Sequence, residues 1–315
     1  MNVGVVGVGH VGYHHARVYS QLPGVTLVGV SDTDEERMNK TAGDFSTAGW
    51  LEYEQLLEQA DAVSVAVPTS LHHTVTKRCL EAGVSALVEK PLCTDLAGAE
   101  ELVRLAREKG ITLQVGHVER FNGAVRKLAE VVHNPRFIEC HRLSPYPSRG
   151  DDVGVVLDLM IHDLDIVLSL VKSEVTQAEA IGMPVFSPHE DIANARLKFA
   201  NECVANLTAS RVSVDRMRKI RIFESDAYLS VRYDDQEVKI YRKRDDKLRQ
   251  GLDPMQCIEI DVLPVDKEEP LRAELASFVH CVQTRERPVV SGEDGRNALR
   301  LALELSEQIR RFREA

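Results

Sequence analysis

The chain has 315 residues, a hydrophobic fraction of 43% and a formal net charge of -10. The length suggests about two domains, and the acidic balance argues against nucleic acid as the main partner. No apolar run is long enough to cross a bilayer, so neither a membrane segment nor a signal peptide is expected. The six cysteines form no C-x-x-C pair, which predicts buried thiols in a cytoplasmic protein.

The first predicted element is a buried strand, Asn2–Val6, which runs into a glycine-rich turn. The turn over residues 7–12 fits the dinucleotide-binding pattern G-x-G-x-x-G. Its first glycine permits a tight turn, its second lets backbone N–H groups approach a pyrophosphate, and its third lets the helix lie close to the strand. The predicted cofactor contacts of this turn are Gly7, Gly9, His10, Val11 and Gly12.

An acid stands where this pattern requires one. A helix over Tyr13–Gln21 leads to a strand over Val25–Val30, and Asp32 follows Gly12 by 20 residues. Asp32 is expected to accept the ribose hydroxyls and to repel a 2′-phosphate, which favours NAD over NADP. Arg37 lies nearby and softens this preference. The alternative is a glycine-rich turn that binds no ligand.

The rest of the first half alternates strands with helices. This alternation predicts a doubly wound parallel sheet over residues 1–118, as in a Rossmann domain. The further strands are Asp61–Val67, Val84–Val88 and Ile111–Val115, and the further helices are Asp34–Ala42, Tyr53–Gln59, Leu71–Ala82 and Asp95–Lys109.

Polar residues follow the carboxyl ends of these strands, where open parallel sheets bind ligands. The predicted cofactor contacts there are Thr69, His72, Glu89 and Lys90. The alternatives are structural: a helix capped by Ser70, and a surface Glu–Lys pair before Pro91. From spacing alone both interpretations of Lys90 stay open.

The second half begins with a predicted helix over Arg120–Val132 and a strand over Arg136–Leu143. The loop over residues 144–152 is rich in turn residues and contains Arg149. It is interpreted either as a substrate-covering loop or as an ordinary connection.

A helix over Val155–Val171 is almost wholly apolar. At about 100° per residue, Asp158, His162, Asp165 and Ser169 form one polar stripe on it. A carboxylate beside an imidazole fixes its tautomer and raises its basicity, as a general base requires. A structural Asp–His hydrogen bond between domains is the alternative, and spacing alone does not decide between them.

From Glu174 onward the pattern changes to consecutive strands with short turns, which predicts a largely antiparallel sheet. One sheet face is expected to pack on helices and the other to be available to a second subunit. Three arginines of this half could bind a diphosphate or lie in solvent, and solvent is expected for most of them: Arg211, Arg216 and Arg218. The predicted second domain spans 119–315, with terminal helices Leu271–Thr284 and Gly295–Phe312 packing back near the junction. Its strands are Val175–Met183, Asp191–Phe199, Cys203–Ser213, Met217–Glu224, Ala227–Tyr233, Glu237–Arg242 and Cys257–Val262.

The motif Glu89-Lys90-Pro91, after a fingerprint at the N-terminus, resembles the Gfo/Idh/MocA family of oxidoreductases. The resemblance implies an α/β protein with a Rossmann domain and a C-terminal α/β domain carrying an open-faced sheet. It implies that Lys90 is catalytic or positions the substrate. It also implies that His162 is the general base and Asp158 its orienting partner, because this position of the family lies against the nicotinamide.

Two stretches, residues 115–122 and 153–163, look like the nucleotide-sugar dehydrogenases of that family. This resemblance implies oxidation of the 3-hydroxyl of UDP-N-acetylglucosamine or its uronate, the former being preferred. It further implies a homodimer or homotetramer, and no metal is expected. The implied substrate contacts are Lys90, His117, Arg120, Asn122, Arg149, Asp158 and His162.

Three other functions fit the same residues. One is oxidation of a free polyol or sugar such as an inositol. Another is a glycosidase that oxidises the sugar transiently and recycles bound NAD. The last is a non-catalytic regulator that senses the cofactor, which the presence of Lys90, Asp158 and His162 disfavours.

Overall fold

The computed structural model describes residues 1–146, 153–243 and 258–314. The chain divides into two compact units: the first comprises Met1–Phe121 and Glu269–Arg300, and the second comprises Asn122–Glu268 and the residues from Leu301 onward. The first crossing point lies close to the predicted boundary after residue 118. The division differs from the prediction for residues 269–300, which belong to the first unit.

The secondary structure follows the predicted alternation. The strands are β1 Asn2–Val6, β2 Thr26–Ser31, β3 Ala48–Trp50, β4 Ala62–Val65, β5 Ser85–Glu89, β6 Leu113–Gly116, β7 Phe137–Leu143, β8 Val175–Met183, β9 Ile192–Phe199, β10 Val204–Ser210, β11 Met217–Phe223, β12 Ala227–Arg232, β13 Glu237–Lys243 and β14 Ile258–Leu263. The α-helices are α1 His10–Tyr19, α2 Glu35–Asp44, α3 Tyr53–Leu57, α4 Thr69–Glu81, α5 Leu96–Lys109, α6 Gly123–Val131, α7 Ile161–Val171, α8 Pro270–Thr284 and α9 Gly292–Glu314.

The sheet of the first unit has six parallel strands in the order β3-β2-β1-β4-β5-β6. This order confirms the doubly wound parallel sheet. Because the strand order reverses between β1 and β4, the carboxyl ends of these two strands flank the position where such sheets bind ligands. The short strand β3 has no counterpart among the predicted strands, since its residues are exposed or half-buried and lack an apolar run.

Apolar burial explains why α8 belongs to the first unit. Leu275 and Phe278 of this helix are fully buried against Val3, Val5 and Tyr19. Removing such side chains from water contributes about 1.5–3 kcal/mol each. The helix therefore completes the core of the parallel sheet, although it lies far along the sequence.

The second unit contains an eight-stranded sheet in the order β14-β13-β12-β11-β7-β10-β9-β8. Its neighbours are antiparallel except for β7 and β10, which confirms the largely antiparallel sheet. Burial alternates along β9, where Ala193, Ala195 and Leu197 are buried and the residues between them are exposed. The sheet thus has one covered face and one open face.

The predicted helix over Arg120–Val132 begins later than expected. A short 3₁₀ helix covers Val118–Phe121, and α6 starts at Gly123. Asn122 separates them because its backbone is extended and its Oδ1 accepts a hydrogen bond from the Ala124 N–H at 3.0 Å. The side chain of Asn122 therefore caps α6.

Candidate active site

The glycine-rich turn has the geometry that its pattern predicts. Gly7 adopts φ +86°, and its N–H donates to the Ser31 carbonyl oxygen at 2.8 Å. A Cβ at Gly12 would lie 1.8 Å from the Gly7 oxygen, so only glycine lets α1 approach this closely. A Cβ at Gly9 would meet nothing within 4 Å, which leaves the approach to the helix open.

The start of α1 is suited to an anion. Gly9 is its N-cap and supplies no side chain to the first N–H groups, which are left for another acceptor. His10 and Val11 are exposed at this helix start. The helix begins three residues earlier than the predicted Tyr13, and the fingerprint therefore supplies its first turn.

Asp32 ties the second strand to this turn. Its Oδ2 accepts a hydrogen bond from the Val8 N–H at 2.8 Å, and its Oδ1 accepts one from the Asp34 N–H at 2.9 Å. The Arg37 guanidinium also donates to Oδ1 at 3.2 Å, although the Arg37 side chain is 55% exposed. The carboxylate is thus fixed beside the glycines with a cation close to it.

A cavity of about 200 Å³ lies beside Asp32, with walls from the turn and from α2. Its lining residues are Val8, Gly9, His10, Tyr13, Arg37, Lys40 and Thr41. Together with the uncapped helix start, this arrangement fits a dinucleotide, whose pyrophosphate Gly9–Gly12 would hold and whose ribose Asp32 would hold.

Thr69 and His72 lie in the first turn of α4, beyond the carboxyl end of β4. Thr69 is half-buried, whereas His72 is 1% exposed. The His72 Nδ1 lies 2.8 Å from the Pro91 oxygen and its Nε2 lies 2.9 Å from the Val67 oxygen. Both ring nitrogens are therefore engaged with backbone carbonyls, and the predicted cofactor contact of His72 has no ring nitrogen left for it.

Glu89 and Lys90 lie at the carboxyl end of β5, and both are half-buried. The Glu89 Oε1 lies 3.0 Å from the Nε2 of His15, which is fully buried in α1. Burial by itself raises the pKa of the Glu89 carboxyl, but His15 and the charge of Lys90 outweigh it, so the pKa lies below its ordinary value. Lys90 thus stands beside a carboxylate that is kept ionised.

His117 and Arg120 follow the carboxyl end of β6. His117 is buried, and Arg120 is half-buried with its guanidinium donating to the Val289 oxygen at 3.2 Å. Asn122 is also buried, and its Nδ2 donates to the Tyr233 oxygen at 3.2 Å. Both ends of the Asn122 amide thus have partners in the second unit. Arg149 lies outside the described residues.

The predicted Val155–Val171 helix is interrupted at its start. Residues Val156–Met160 form a π-helical segment, and α7 begins at Ile161. Bonding from i to i+5 widens this turn, so a constant 100° per residue does not hold across it. Asp158, His162 and Ser169 are half-buried, and Asp165 is buried. π turns frequently occur at functional sites.

The structure contains two buried ion pairs that the sequence pattern does not predict. Arg142 of β7 makes two 2.9 Å hydrogen bonds to Asp163 of α7, with both side chains 3% exposed. Arg211 pairs with Asp191 at 2.7 Å, and both are essentially inaccessible. The prediction places most of Arg211, Arg216 and Arg218 in solvent. Arg216 is exposed and Arg218 is half-buried, whereas the prediction is wrong for the buried Arg211.

His15 also escaped detection, although a signal was present. It shares the inward face of α1 with Ala16 and Tyr19, so a polar residue stands among buried neighbours. The ion pairs carried no comparable local signal, because their partners lie about 20 residues apart in sequence. The predicted site residues divide between the two units. The first unit contains the glycines, Asp32, Thr69, His72, Glu89, Lys90, His117 and Arg120, and the second contains Asn122, Asp158 and His162.

Known families match both units. Residues 1–117 match the oxidoreductase family with an NAD-binding Rossmann fold, and residues 123–230 match the GFO/IDH/MocA C-terminal domain. The chain belongs to the GFO/IDH/MocA family. It is an NAD-dependent dehydrogenase of that family, which confirms the predicted fold class, cofactor and type of enzyme.

Some proteins are similar to this chain over nearly its whole length. The UDP-N-acetylglucosamine 3-dehydrogenase of Acidithiobacillus ferrooxidans is 34% identical over 99% of this chain and 98% of its own. A solved structure of that enzyme has a TM-score of 0.94 and 33% identity, and the match covers 100% of this chain and 99% of that one. The myo-inositol 2-dehydrogenase of Thermotoga maritima is 26% identical over 96% of this chain and 94% of its own.

Two features are absent from residues 1–146, 153–243 and 258–314. No helix among them is long and apolar enough to cross a membrane. Within those same ranges, no group of three or more His, Cys, Asp and Glu side chains is arranged to hold a metal ion.

Proposed function

We propose that this dehydrogenase oxidises the 3-hydroxyl of a nucleotide sugar, with UDP-N-acetylglucosamine as the preferred substrate. The observation that carries the proposal is the full-length similarity to an enzyme with that activity, at 34% identity. The inositol dehydrogenase that also covers nearly the whole chain is less similar, at 26% identity. NAD, when bound, supplies the hydride acceptor for the sugar carbon.

Three side chains are assigned to the chemistry. His162 takes the proton of the hydroxyl group, because its half-buried imidazole is suited to a general base near neutral pH. Asp158, four positions earlier and also half-buried, holds the imidazole in the correct tautomer. Lys90, at the carboxyl end of β5, positions the same hydroxyl and favours loss of its proton.

The remaining assignments concern substrate binding. Arg120 and Arg149 are proposed to bind the diphosphate, since a guanidinium offers paired donors to phosphate oxygens. His117 and Asn122 are proposed as sugar contacts. For Asn122 the proposal has to accommodate the cap that its amide provides to α6. The cofactor is proposed to contact Thr69, Glu89 and Lys90 beyond the glycine-rich turn, whereas both ring nitrogens of the buried His72 face backbone carbonyls.

The oligomeric state and the cellular location are proposed from an open sheet face and from the cysteines. The open face of the eight-stranded sheet carries a row of stacked aromatic rings, Phe223, Tyr228 and Tyr241, with centroids 4.7 and 4.8 Å apart. Such a face supports a homodimer or homotetramer. The five described cysteines are free and buried, which supports a reducing compartment and a cytoplasmic enzyme.

A substrate screen tests the proposal. The protein is incubated with NAD and either UDP-N-acetylglucosamine, its uronate, other nucleotide sugars or myo-inositol, and NADH absorbance is followed. The expected result is NADH formation with UDP-N-acetylglucosamine and a keto product identified by mass. Turnover of myo-inositol alone would replace the nucleotide sugar with a polyol, and release of a sugar without net NADH would indicate a glycosidase that recycles its cofactor.

A further inference from the structure

The segment that carries Lys90 is held from one side by a buried histidine. His15 is fully inaccessible in α1, and its Nε2 lies 3.0 Å from Glu89 Oε1. Glu89 directly precedes Lys90 at the end of β5. This 3.0 Å contact places the Glu89 carboxylate against α1.

The neighbouring strand leaves room for that carboxylate. Gly116 of β6 pairs with Glu89 across the sheet. A Cβ at position 116 would lie 2.8 Å from Glu89 Oε1 and 3.0 Å from Oε2, closer than ordinary contacts allow. The carboxylate of Glu89 therefore lies between His15 and the bare backbone of Gly116.

A second buried histidine holds the other side of the segment. His72 is 1% exposed, and its Nδ1 and Nε2 lie 2.8 and 2.9 Å from the oxygens of Pro91 and Val67. Carbonyl oxygens only accept, and burial lowers the pKa of His72, so the neutral ring has a single N–H to donate. We assign that N–H to Nδ1, where it donates to the Pro91 oxygen. His72 thereby lies between Pro91, which follows Lys90, and Val67, which lies two residues beyond the end of β4.

We propose that His15 and His72 are positioning residues that together fix the backbone around Lys90 and so aim its ammonium group. His15 acts through the side chain of Glu89, and His72 acts through the carbonyl of Pro91. The proposal rests on the proposed function only for the role of Lys90 in turnover. Neither histidine needs to touch the substrate, and both act within the first unit.

Amide substitutions separate the individual contacts. The side-chain nitrogen of Asn stands as many bonds from Cα as Nδ1 of His, and that of Gln stands as many bonds from Cα as Nε2. At position 15, Gln therefore keeps a donor for Glu89, whereas Asn does not. At position 72, Asn keeps a donor for Pro91, whereas Gln keeps only the contact with Val67.

The substitution that lowers kcat should differ between the two positions: Asn at position 15 and Gln at position 72. His15→Asn and His72→Gln should lower kcat about 10- to 100-fold, as losses of groups that orient an active residue do, with little change in the Kd of NAD. His15→Gln and His72→Asn should keep most of kcat. The adjacent histidines provide matched controls, because His14 and His73 are half-buried on the same helices and their Gln variants should behave as the wild type.

A second readout does not depend on the substrate. Lysine amines of the NAD-loaded protein are methylated with ¹³C formaldehyde, and the NMR signal of Lys90 is identified by its absence from Lys90→Arg. In His15→Asn and His72→Gln this signal should move towards the position of exposed lysines, and in the other four variants it should stay. This arm remains decisive if no nucleotide sugar is oxidised, so failure of the proposed function is distinguishable.

The outcome against the proposal is equally definite. Equal behaviour of Asn and Gln at each position, in kcat or in the Lys90 signal, would show that these contacts do not aim Lys90. Thermal melting of every variant accompanies both readouts. If one variant does not fold, the partner substitution at the same position and the pair at the other position still decide the question.

Discussion

The two units of this protein organise their functional groups by different means. In the first unit, backbone turns and strand ends place the groups: Gly7 and Gly12 shape the turn, and Lys90 follows β5. In the second unit, side-chain pairs between distant segments do so, as Arg142 with Asp163 and Arg211 with Asp191. Local motifs therefore describe the first kind of site, whereas the second requires the folded chain.

The largest expected effect separates turnover from cofactor binding. His162→Ala should lower kcat by about 10²- to 10⁴-fold, because a general base contributes that much to proton transfer. The Kd of NAD should stay within about twofold, since the glycine-rich turn and Asp32 belong to the first unit. Steady-state kinetics and NAD titration by fluorescence measure the two quantities.

His133 provides the matched control for this substitution. It is an exposed histidine of the second unit, and His133→Ala should leave kcat unchanged. An unchanged kcat in His162→Ala would remove the base from the proposed chemistry. A large loss of NAD affinity in the same variant would contradict the division of labour between the units.

The next effect concerns the stability of the second unit. Asp191→Asn should lower the free energy of unfolding by about 3–5 kcal/mol, because it removes the negative charge that pairs with the inaccessible Arg211 at 2.7 Å. The new amide also faces the N–H groups of Val185, Phe186 and Ser187, which now donate to Asp191. Urea unfolding measures the change, and Asp215→Asn, an exposed carboxylate of the same unit, should change it by less than about 0.5 kcal/mol.

The same pair predicts a dependence on pH. Burial alone raises the pKa of Asp191, but the three backbone N–H donors and Arg211 reverse this, so the pKa lies below its ordinary value. A depressed pKa means that the stabilisation is fully present above the ordinary carboxyl pKa of about 4 and is lost as the pH falls below it. The wild type should therefore lose more stability than Asp191→Asn on acidification through this range, and parallel losses would contradict the assignment.

The elements that could be predicted from the sequence are those whose patterns lie within a short stretch of the chain. The fingerprint, the acid at Asp32 and the alternation of strands and helices predicted the parallel sheet, because each depends on neighbouring residues. The apolar run over Val155–Val171 predicted one continuous α-helix, whereas a π-helical segment precedes α7. The π turn at Val156–Met160 has no composition of its own, so a constant periodicity does not give the angle between Asp158 and the polar residues of α7.

Other features depend on residues that meet only after folding. The ring of His72 contacts Val67 and Pro91, which approach each other because β4 and β5 are neighbours in the sheet. Helix α8 was assigned to the second half by its place in the chain, whereas its buried face completes the first core. Spacing along the sequence carries no record of such contacts.

The smallest expected effect tests whether the cofactor site of the first unit can be changed by itself. Asp32→Ser should lower kcat/KM for NAD about 10- to 100-fold, since a hydrogen bond to a charged group contributes about 1.5–3 kcal/mol. The loss for NADP should be smaller, because Arg37 and Lys40 line the adjoining cavity and no carboxylate would then oppose a 2′-phosphate. Kinetics with both cofactors measure the ratio. Adding Arg37→Ala should abolish the difference between the losses for NAD and NADP. A ratio of the two kcat/KM values that is unchanged in Asp32→Ser would show that this carboxylate only braces the turn through its bond to the Val8 N–H.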